Sequence, residues 1–306
     1  MTVSKTYVLY HGGCYDGFAS AWIARKHLPE DTEFIPVGFS SPMPEIEDGS
    51  GVYILDFSYP RDELIALQER TQVLVLDHHK TAEAQLKGLS YAVFDLGKSG
   101  ATLTWEWFNG LCSMPPEFIR YIEDRDLWRH ALKNSREINA VIRSYPFDFE
   151  VWDRSVSNVC GEAVWVSEGR AILRAQQREI EFMTYKVQYA SFGGYVFPCI
   201  NANCSFQSDI AHYLYENFPT YRQDTEGWLR KTDVRGSAVY SVWPHGDNGQ
   251  VKFFWSLRSN GSLDVSELAT AFGGGGLPQA SGFREESACA QERFVNRDLI
   301  EAIERG

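Results

Sequence analysis

Three short apolar runs near the start of the chain each end in residues that can hold a metal ion. Tyr7-Val8-Leu9-Tyr10 leads into His11, Cys14 and Asp16; Val52-Tyr53-Ile54-Leu55 leads into Asp56; Val73-Leu74-Val75-Leu76 leads into Asp77-His78-His79. Apolar runs of this length bounded by turn residues read as buried strands. In an open parallel sheet the carboxyl ends of the strands form the ligand crevice, so side chains from several such ends converge. A single Asp or His at a strand end is ordinarily a cap or turn former, but three clusters at three such ends make a metal site. Several carboxylates with one or two imidazoles and no thiolate cluster suit Mn²⁺, or alternatively Mg²⁺, better than structural Zn²⁺. There are enough donors for two ions sharing a bridging carboxylate, the usual device for activating water and stabilising charge in phosphoester hydrolysis. His27, His212 and His245 have no such company and read as structural or surface residues.

The elements that must position these residues follow from the same patterning. Strands are predicted at residues 7–10, 33–37, 52–55, 73–76 and 91–94, with helical stretches between most of them, including 16–28, stopped by Pro29, and 60–70, opened by Pro60. That alternation predicts an α/β domain with a parallel sheet and helices on both faces. Past residue 101 the pattern turns helical (101–108, 116–122), and a long charged stretch at 168–188 reads as a connecting helix. Strands at 195–200, 238–243 and 252–257 and helices at 207–216 and 265–271 predict a second, smaller mixed α/β domain. The expected division is 1–165, a connecting helix over 166–190, and 191–306.

Composition limits the partners and the compartment. With 41 acidic and 29 basic side chains among 306 residues, the net charge of −12 excludes a polybasic binder of long duplex DNA. A content of 44% hydrophobic and 14% aromatic residues is that of a core-forming protein. No run approaches the ~18 apolar residues of a membrane span, and residues 1–9 lack the features of a signal peptide. The six cysteines, Cys14, Cys112, Cys160, Cys199, Cys204 and Cys289, form no C-x-x-C pair. A soluble protein of the reducing cytoplasm is expected.

Taken in order, these residues resemble a known family. Asp77-His78-His79, preceded by His11-x-x-Cys14-x-Asp16-Gly17 and Ile54-Leu55-Asp56, resembles the DHH phosphoesterase superfamily. Ser256-Leu257-Arg258-Ser259, Asp264-Val265, and Phe272 with glycines 273–276 before Ala280-Ser281-Gly282-Phe283 resemble the DHH-associated substrate-binding domain. The resemblance implies a metal set of His11, Asp16, Asp56, Asp77, His78 and Asp124, the last preferred over Asp126, with Cys14 a further candidate. It also implies that Asp77, His78 and His79 are catalytic, with His79 facing the substrate phosphate, and that Arg258, Gly274, Gly275, Gly276 and Leu277 help bind substrate. Consecutive glycines let a backbone approach an anion, and the Arg258 guanidinium offers a planar fork for phosphate.

The activity implied is hydrolysis of very short RNA or dinucleotides to mononucleotides with two Mn²⁺, or Mg²⁺. A homodimer is allowed, and no membrane is involved. Nucleotide bisphosphate phosphatase or polyphosphate hydrolase is the alternative enzyme; a catalytically weakened nucleotide-binding protein is the alternative of another class. Two departures motivate the last. Cys14 stands where relatives have Asp, and Leu277 stands where the glycines are normally followed by His and can neither donate nor accept a hydrogen bond.

Overall fold

The computed structural model describes residues 5–38, 41–202, 206–245 and 250–305. Cys204 and the side chain of His245 lie outside the described set. The first half is a five-stranded, fully parallel sheet: β1 (Thr6–His11), β2 (Glu33–Val37), β3 (Gly51–Leu55), β4 (Gln72–Asp77) and β5 (Ala92–Phe94), in the order β2-β1-β3-β4-β5. Helix α1 (Tyr15–Arg25) follows β1, α2 (Arg61–Gln68) follows β3, and α3 (Lys80–Leu86) follows β4. The strands are almost continuously apolar because both faces are covered. Val8 and Tyr10 of β1 pack with Phe18 and Trp22 of α1, while the alternate residues Tyr7 and Leu9 pack with Leu64 and Leu67 of α2 and Leu86 of α3. In this strand order the chain leaves β1 toward β2 on one side and reaches β3 on the other. The crevice at the carboxyl ends of β1 and β3 is therefore the topological switch point.

Four helices complete the α1 face: α4 (Gly100–Asn109), α5 (Glu117–Asp126), α6 (Ser135–Ile142) and α7 (Phe149–Arg154). Leu103, Phe118, Ile122, Ile138 and Trp152 join the same apolar cluster as α1. Helix α7 fixes the far end of α1 through Asp153. Its Oδ1 accepts from Trp22 Nε1 at 2.8 Å and from Lys26 Nζ, and its Oδ2 from Arg25 Nη1 at 3.0 Å. Burial alone would raise the Asp153 carboxyl, but Lys26 and Trp22 outweigh it and hold the group below its ordinary value. Asp153→Asn should destabilise the protein by about 1 kcal/mol at neutral pH, the low end for charge-assisted bonds because the carboxylate is partly exposed. A depressed carboxylate contributes fully above its unfolded value near ~3.9 and loses that contribution as pH falls through its folded value. In urea titrations, the deficit of the Asn variant should therefore be present at pH 7 and shrink below pH 4.

Helix α8 (Ala163–Thr184) leads out of the first half, and the chain divides within it into two compact units, Met1–Ala175 and Gln176–Gly306. Its length is close to the charged stretch expected as a connector. The second unit holds β6 (Gln188–Phe192), β7 (Tyr195–Asn201), α9 (Gln207–Asn217), β8 (Thr220–Gln223), β9 (Leu229–Thr232), β10 (Gly236–His245), β11 (Gln250–Ser259) and α10 (Val265–Thr270), then β12 (Gly275–Leu277), β13 (Ala280–Glu286), α11 (Ser287–Arg293) and α12 (Arg297–Arg305). Its strands form one mixed sheet in the order β12-β13-β11-β10-β7-β8-β9, with β6 beside β7. Phe192, Phe197, Trp255, Leu257 and Phe283 fill one core, and Ile200, Ile210, Leu214 and Val239 another. The chain is thus an α/β protein with a parallel sheet and a second, mixed sheet. No helix among the described residues is long and apolar enough to cross a membrane.

Candidate metal centre

The switch point brings together His11 from the end of β1, Asp16 from the first turn of α1, Asp56 just past β3 and His78 just past β4. Asp56, His78 and Asp16 are almost wholly buried. Asp56 sits in the left-handed region with φ 64°, unusual outside glycine and a place where backbone strain collects at functional sites. Its two oxygens face different partners: Oδ2 lies 3.4 Å from His11 Nδ1, and Oδ1 lies 3.1 Å from His78 Nε2. His78 Nε2 is also 3.5 Å from Asp126 Oδ2 and 3.9 Å from Asp16 Oδ2. The donor atoms fall into groups, each within 4.8 Å: His11, Cys14 and Asp56; Asp56, His78 and His79; and Asp16, His78 and Asp126.

Two sequence-predicted ligands lie outside these groups. Asp124 lies outside these groups; its Oδ1 accepts from Ala131 N at 2.8 Å and its Oδ2 from Leu132 N at 3.2 Å, so it organises the turn after α5. Asp126 takes its place at the cluster. Residues two apart on a helix point about 200° apart, so the two carboxylates cannot serve the same site. The stripe Ile119-Ile122 reaches Asp126 one turn later, and that spacing was the available signal.

Asp77 is the second. It is fully buried, but its Oδ2 accepts from Ser58 Oγ at 2.6 Å, and its Oδ1 from His78 N at 2.7 Å, His79 N at 3.2 Å and His79 Nδ1 at 2.6 Å. With both oxygens occupied, it positions the His78-His79 turn rather than offering a free ligand atom. Asp77 accepting at Nδ1 fixes the orientation of the partly exposed His79 ring. The His79 ring lies 6.2 Å from that of His11 and 4.7 Å from that of His78.

Sequence reading missed the amino end of α4. Gly100 N donates to Asp16 Oδ2 at 2.5 Å and Ala101 N to Asp16 Oδ1 at 3.1 Å, so the positive end of a helix anchors a cluster carboxylate. Ser99 caps that helix, its side chain accepting from Thr102 N. A Ser-Gly pair opening an amphipathic run was the legible trace.

The charges show what this cluster lacks. Burial would lower His78, but Asp56, Asp126 and Asp16 outweigh it and push it up to about 10. Burial would lower His11 as well, but Asp56, Asp126 and Asp77 outweigh it and raise it. Burial would raise Asp56, yet His11 and His78 hold it well below the ordinary range. Asp16 is pushed well above that range by burial and by the charges of Asp56 and Asp126; burial also raises Asp126, against the pull of His78. Burial and the neighbouring carboxylates raise the Cys14 thiol well above its usual value. The three carboxylates of Asp16, Asp56 and Asp126 thus carry more negative charge, when ionised, than the two imidazoles balance. The buried His11 Nδ1 and Asp56 Oδ2 have no hydrogen-bond partner. These residues fit a divalent cation, which would balance the carboxylates and occupy the unpaired atoms.

The second unit carries the other sequence-predicted residues. Gly275–Leu277 is strand β12 rather than a loop, because β13 pairs with it, Gly276 opposite Ser281 and Leu277 opposite Ala280. Gly274 is required sterically: a Cβ there would lie 2.1 Å from Gly282 O. Ala280 also pairs with Arg258 of β11. Arg258, Ala280 and Leu277 therefore form one row across three strands, placing Arg258 and Leu277 on one face about 10 Å apart. Arg258 donates to Ser208 Oγ at 3.0 Å and to its neighbour Leu257 O at 2.9 Å.

No family model matches the chain. An uncharacterised protein of Acanthamoeba polyphaga mimivirus is 29% identical over 310 residues, a match covering 90% of this chain and 66% of that protein, slightly under two thirds of its length. Among solved structures, an uncharacterised Helicobacter pylori protein aligns over 98% of both chains with a TM-score of 0.42 and 15% identity. A pGpG-specific phosphodiesterase, PggH, of Vibrio cholerae aligns over 98% of this chain and 99% of its own, with a TM-score of 0.40 and 12% identity.

Proposed function

We propose that this chain is a metal-dependent phosphodiesterase that hydrolyses dinucleotides or very short RNA to mononucleotides at the β1–β3 switch point. The observation that carries this reading is the convergence of His11, Asp16, Asp56, His78 and Asp126, with the two oxygens of the buried Asp56 turned toward different donor groups. The ordered resemblance to the DHH superfamily supplies the reaction class. His11, Asp16, Asp56, His78 and Asp126 would hold two divalent cations, Mn²⁺ or Mg²⁺, with Asp56 shared. Such ions activate water and neutralise charge on the attacked phosphate. His79, oriented by Asp77, contacts the substrate phosphate, and the row of Arg258 and Leu277 contributes to substrate binding. The net charge of −12 suits a substrate of few phosphates, which needs only a local basic contact.

The test is a panel incubated with Mn²⁺: a dinucleotide, a pentanucleotide, a much longer oligonucleotide, a nucleotide bisphosphate and polyphosphate. Mononucleotides released from the short oligonucleotides alone are expected, with loss of activity on chelation. Turnover confined to the bisphosphate or polyphosphate would replace the phosphodiesterase by a phosphatase. Nucleotide binding without turnover of any substrate would make the protein a binding module.

Cation binding should also release protons. His78, raised to about 10, is protonated at pH 7 and must lose its proton to ligate. Mn²⁺ affinity should therefore rise with pH from 6 toward 9. Calorimetry in two buffers of different ionisation enthalpy should show about one proton or more released per cation pair. Affinity independent of pH across that window would exclude His78 as a ligand.

A further inference from the structure

We infer that Cys14 makes the two halves of this centre chemically unlike: the position framed by His11, Cys14 and Asp56 favours a borderline-soft divalent ion such as Zn²⁺ or Co²⁺ over Mn²⁺ more strongly than does that framed by Asp16, His78 and Asp126. The inference rests on the metal-centre part of the reading above and is independent of the substrate.

Two observations place the thiol in a ligand role. The donor atoms of Cys14, His11 and Asp56 lie within 4.8 Å of one another. Asp56, 1% exposed, has an oxygen on that side with no hydrogen-bond partner, as does the His11 ring nitrogen that faces it. Cys14 is the residue before α1, with extended backbone (φ −109°, ψ 136°), where Ser, Thr, Asp or Asn would cap the helix. A thiol is a weak cap, and its sulfur faces the cluster as well as the Gly17 amide.

The other half offers only carboxylate oxygens and an imidazole. Divalent affinities rise from Mn²⁺ to Zn²⁺ at any such site, so a thiolate matters through the gap between the metals, which it widens in favour of the softer ion. On binding, the S–H bond breaks, its proton passes to solvent and a sulfur–metal bond forms with no change of oxidation state. Cys112 and Cys289 are exposed and belong to no such group among the described residues, which makes Cys112 a fitting control.

The experiment loads the chelator-stripped full chain with Co²⁺ and records its absorption. A near-ultraviolet thiolate-to-cobalt charge-transfer band should appear in the native chain and in Cys112→Ser and be absent from Cys14→Ser. In competition dialysis, Cys14→Asp should narrow the ratio of Zn²⁺ to Mn²⁺ affinity by about tenfold or more. A readout on the native chain guards against a misfolded variant: Zn²⁺ should protect Cys14 from alkylation by iodoacetamide, and Mg²⁺ should not. Co²⁺ binding without the band, a band that survives Cys14→Ser, or equal protection by both ions would overturn the inference and leave the metal centre standing. Failure of every protein to bind either Co²⁺ or Mn²⁺ would overturn both.

Discussion

Asp56→Ala should abolish cation binding at both proposed positions and lower dinucleotide turnover by more than about 100-fold, while the protein stays folded. The size follows from its place. Loss of a group that merely supports a ligand costs about 10- to 100-fold, and Asp56 is the residue whose two oxygens face His11 on one side and His78 on the other. Folding should be spared because both imidazoles can shed their protons once the carboxylate has gone, stranding no buried positive charge. His78 should fall from about 10, since its bond to Asp56 is the largest of the influences that raise it. The left-handed backbone at φ 64° adds a cost to Ala that Asn, which tolerates that region, avoids. Asp56→Asn is therefore the cleaner variant. Calorimetry with Mn²⁺ and a turnover assay check both; near-normal turnover by Asp56→Asn would refute the shared role.

The parts of this site that could be read in the sequence were those carried by period and local chemistry. Runs such as Val73-Leu74-Val75-Leu76 end where a buried strand must end, and the next residues are then at the mouth of a parallel sheet whatever the helices do. His11, Asp56 and His78 were legible for that reason. Asp124 and Asp126 were not separable, because both belong to the same helix and only its rotation against α1 and α4 decides which carboxylate meets His78. The surroundings of Asp77 were not legible for a different reason. Its residue type fits a metal, but Ser58 and the two following backbone amides occupy it, and that competition appears only when the turn is built. In the second unit, three residues Gly-Gly-Leu have no strand propensity of their own; pairing with β13 makes β12.

Gly100→Ala should disable the centre almost as fully as loss of a ligand, although residue 100 offers no side chain to any metal. A Cβ at this position would stand 2.6 Å from Asp56 Cβ, 2.7 Å from Asp56 Oδ1 and 3.0 Å from Asp16 Oδ2. The first contact is with the root of a side chain and not its flexible tip, so Asp56 cannot swing away while its own backbone stays in place. Either Asp56 shifts, or α4 backs off and withdraws the Gly100 and Ala101 N–H groups that hold Asp16. Both responses pull apart the carboxylates that would share the proposed cation pair. Overpacking of this kind costs about 1–3 kcal/mol of stability, within reach of a stable domain, so loss of Mn²⁺ affinity by at least tenfold should be measurable on folded protein. Gly88→Ala supplies the control: its backbone, at φ 89°, disfavours Ala, but the added methyl meets nothing within 4 Å. It should lower the midpoint of thermal unfolding and leave Mn²⁺ affinity unchanged. Wild-type Mn²⁺ affinity in folded Gly100→Ala would show that the α4 amino end does not fix the spacing of Asp16 and Asp56, and the centre would have to be rebuilt without it.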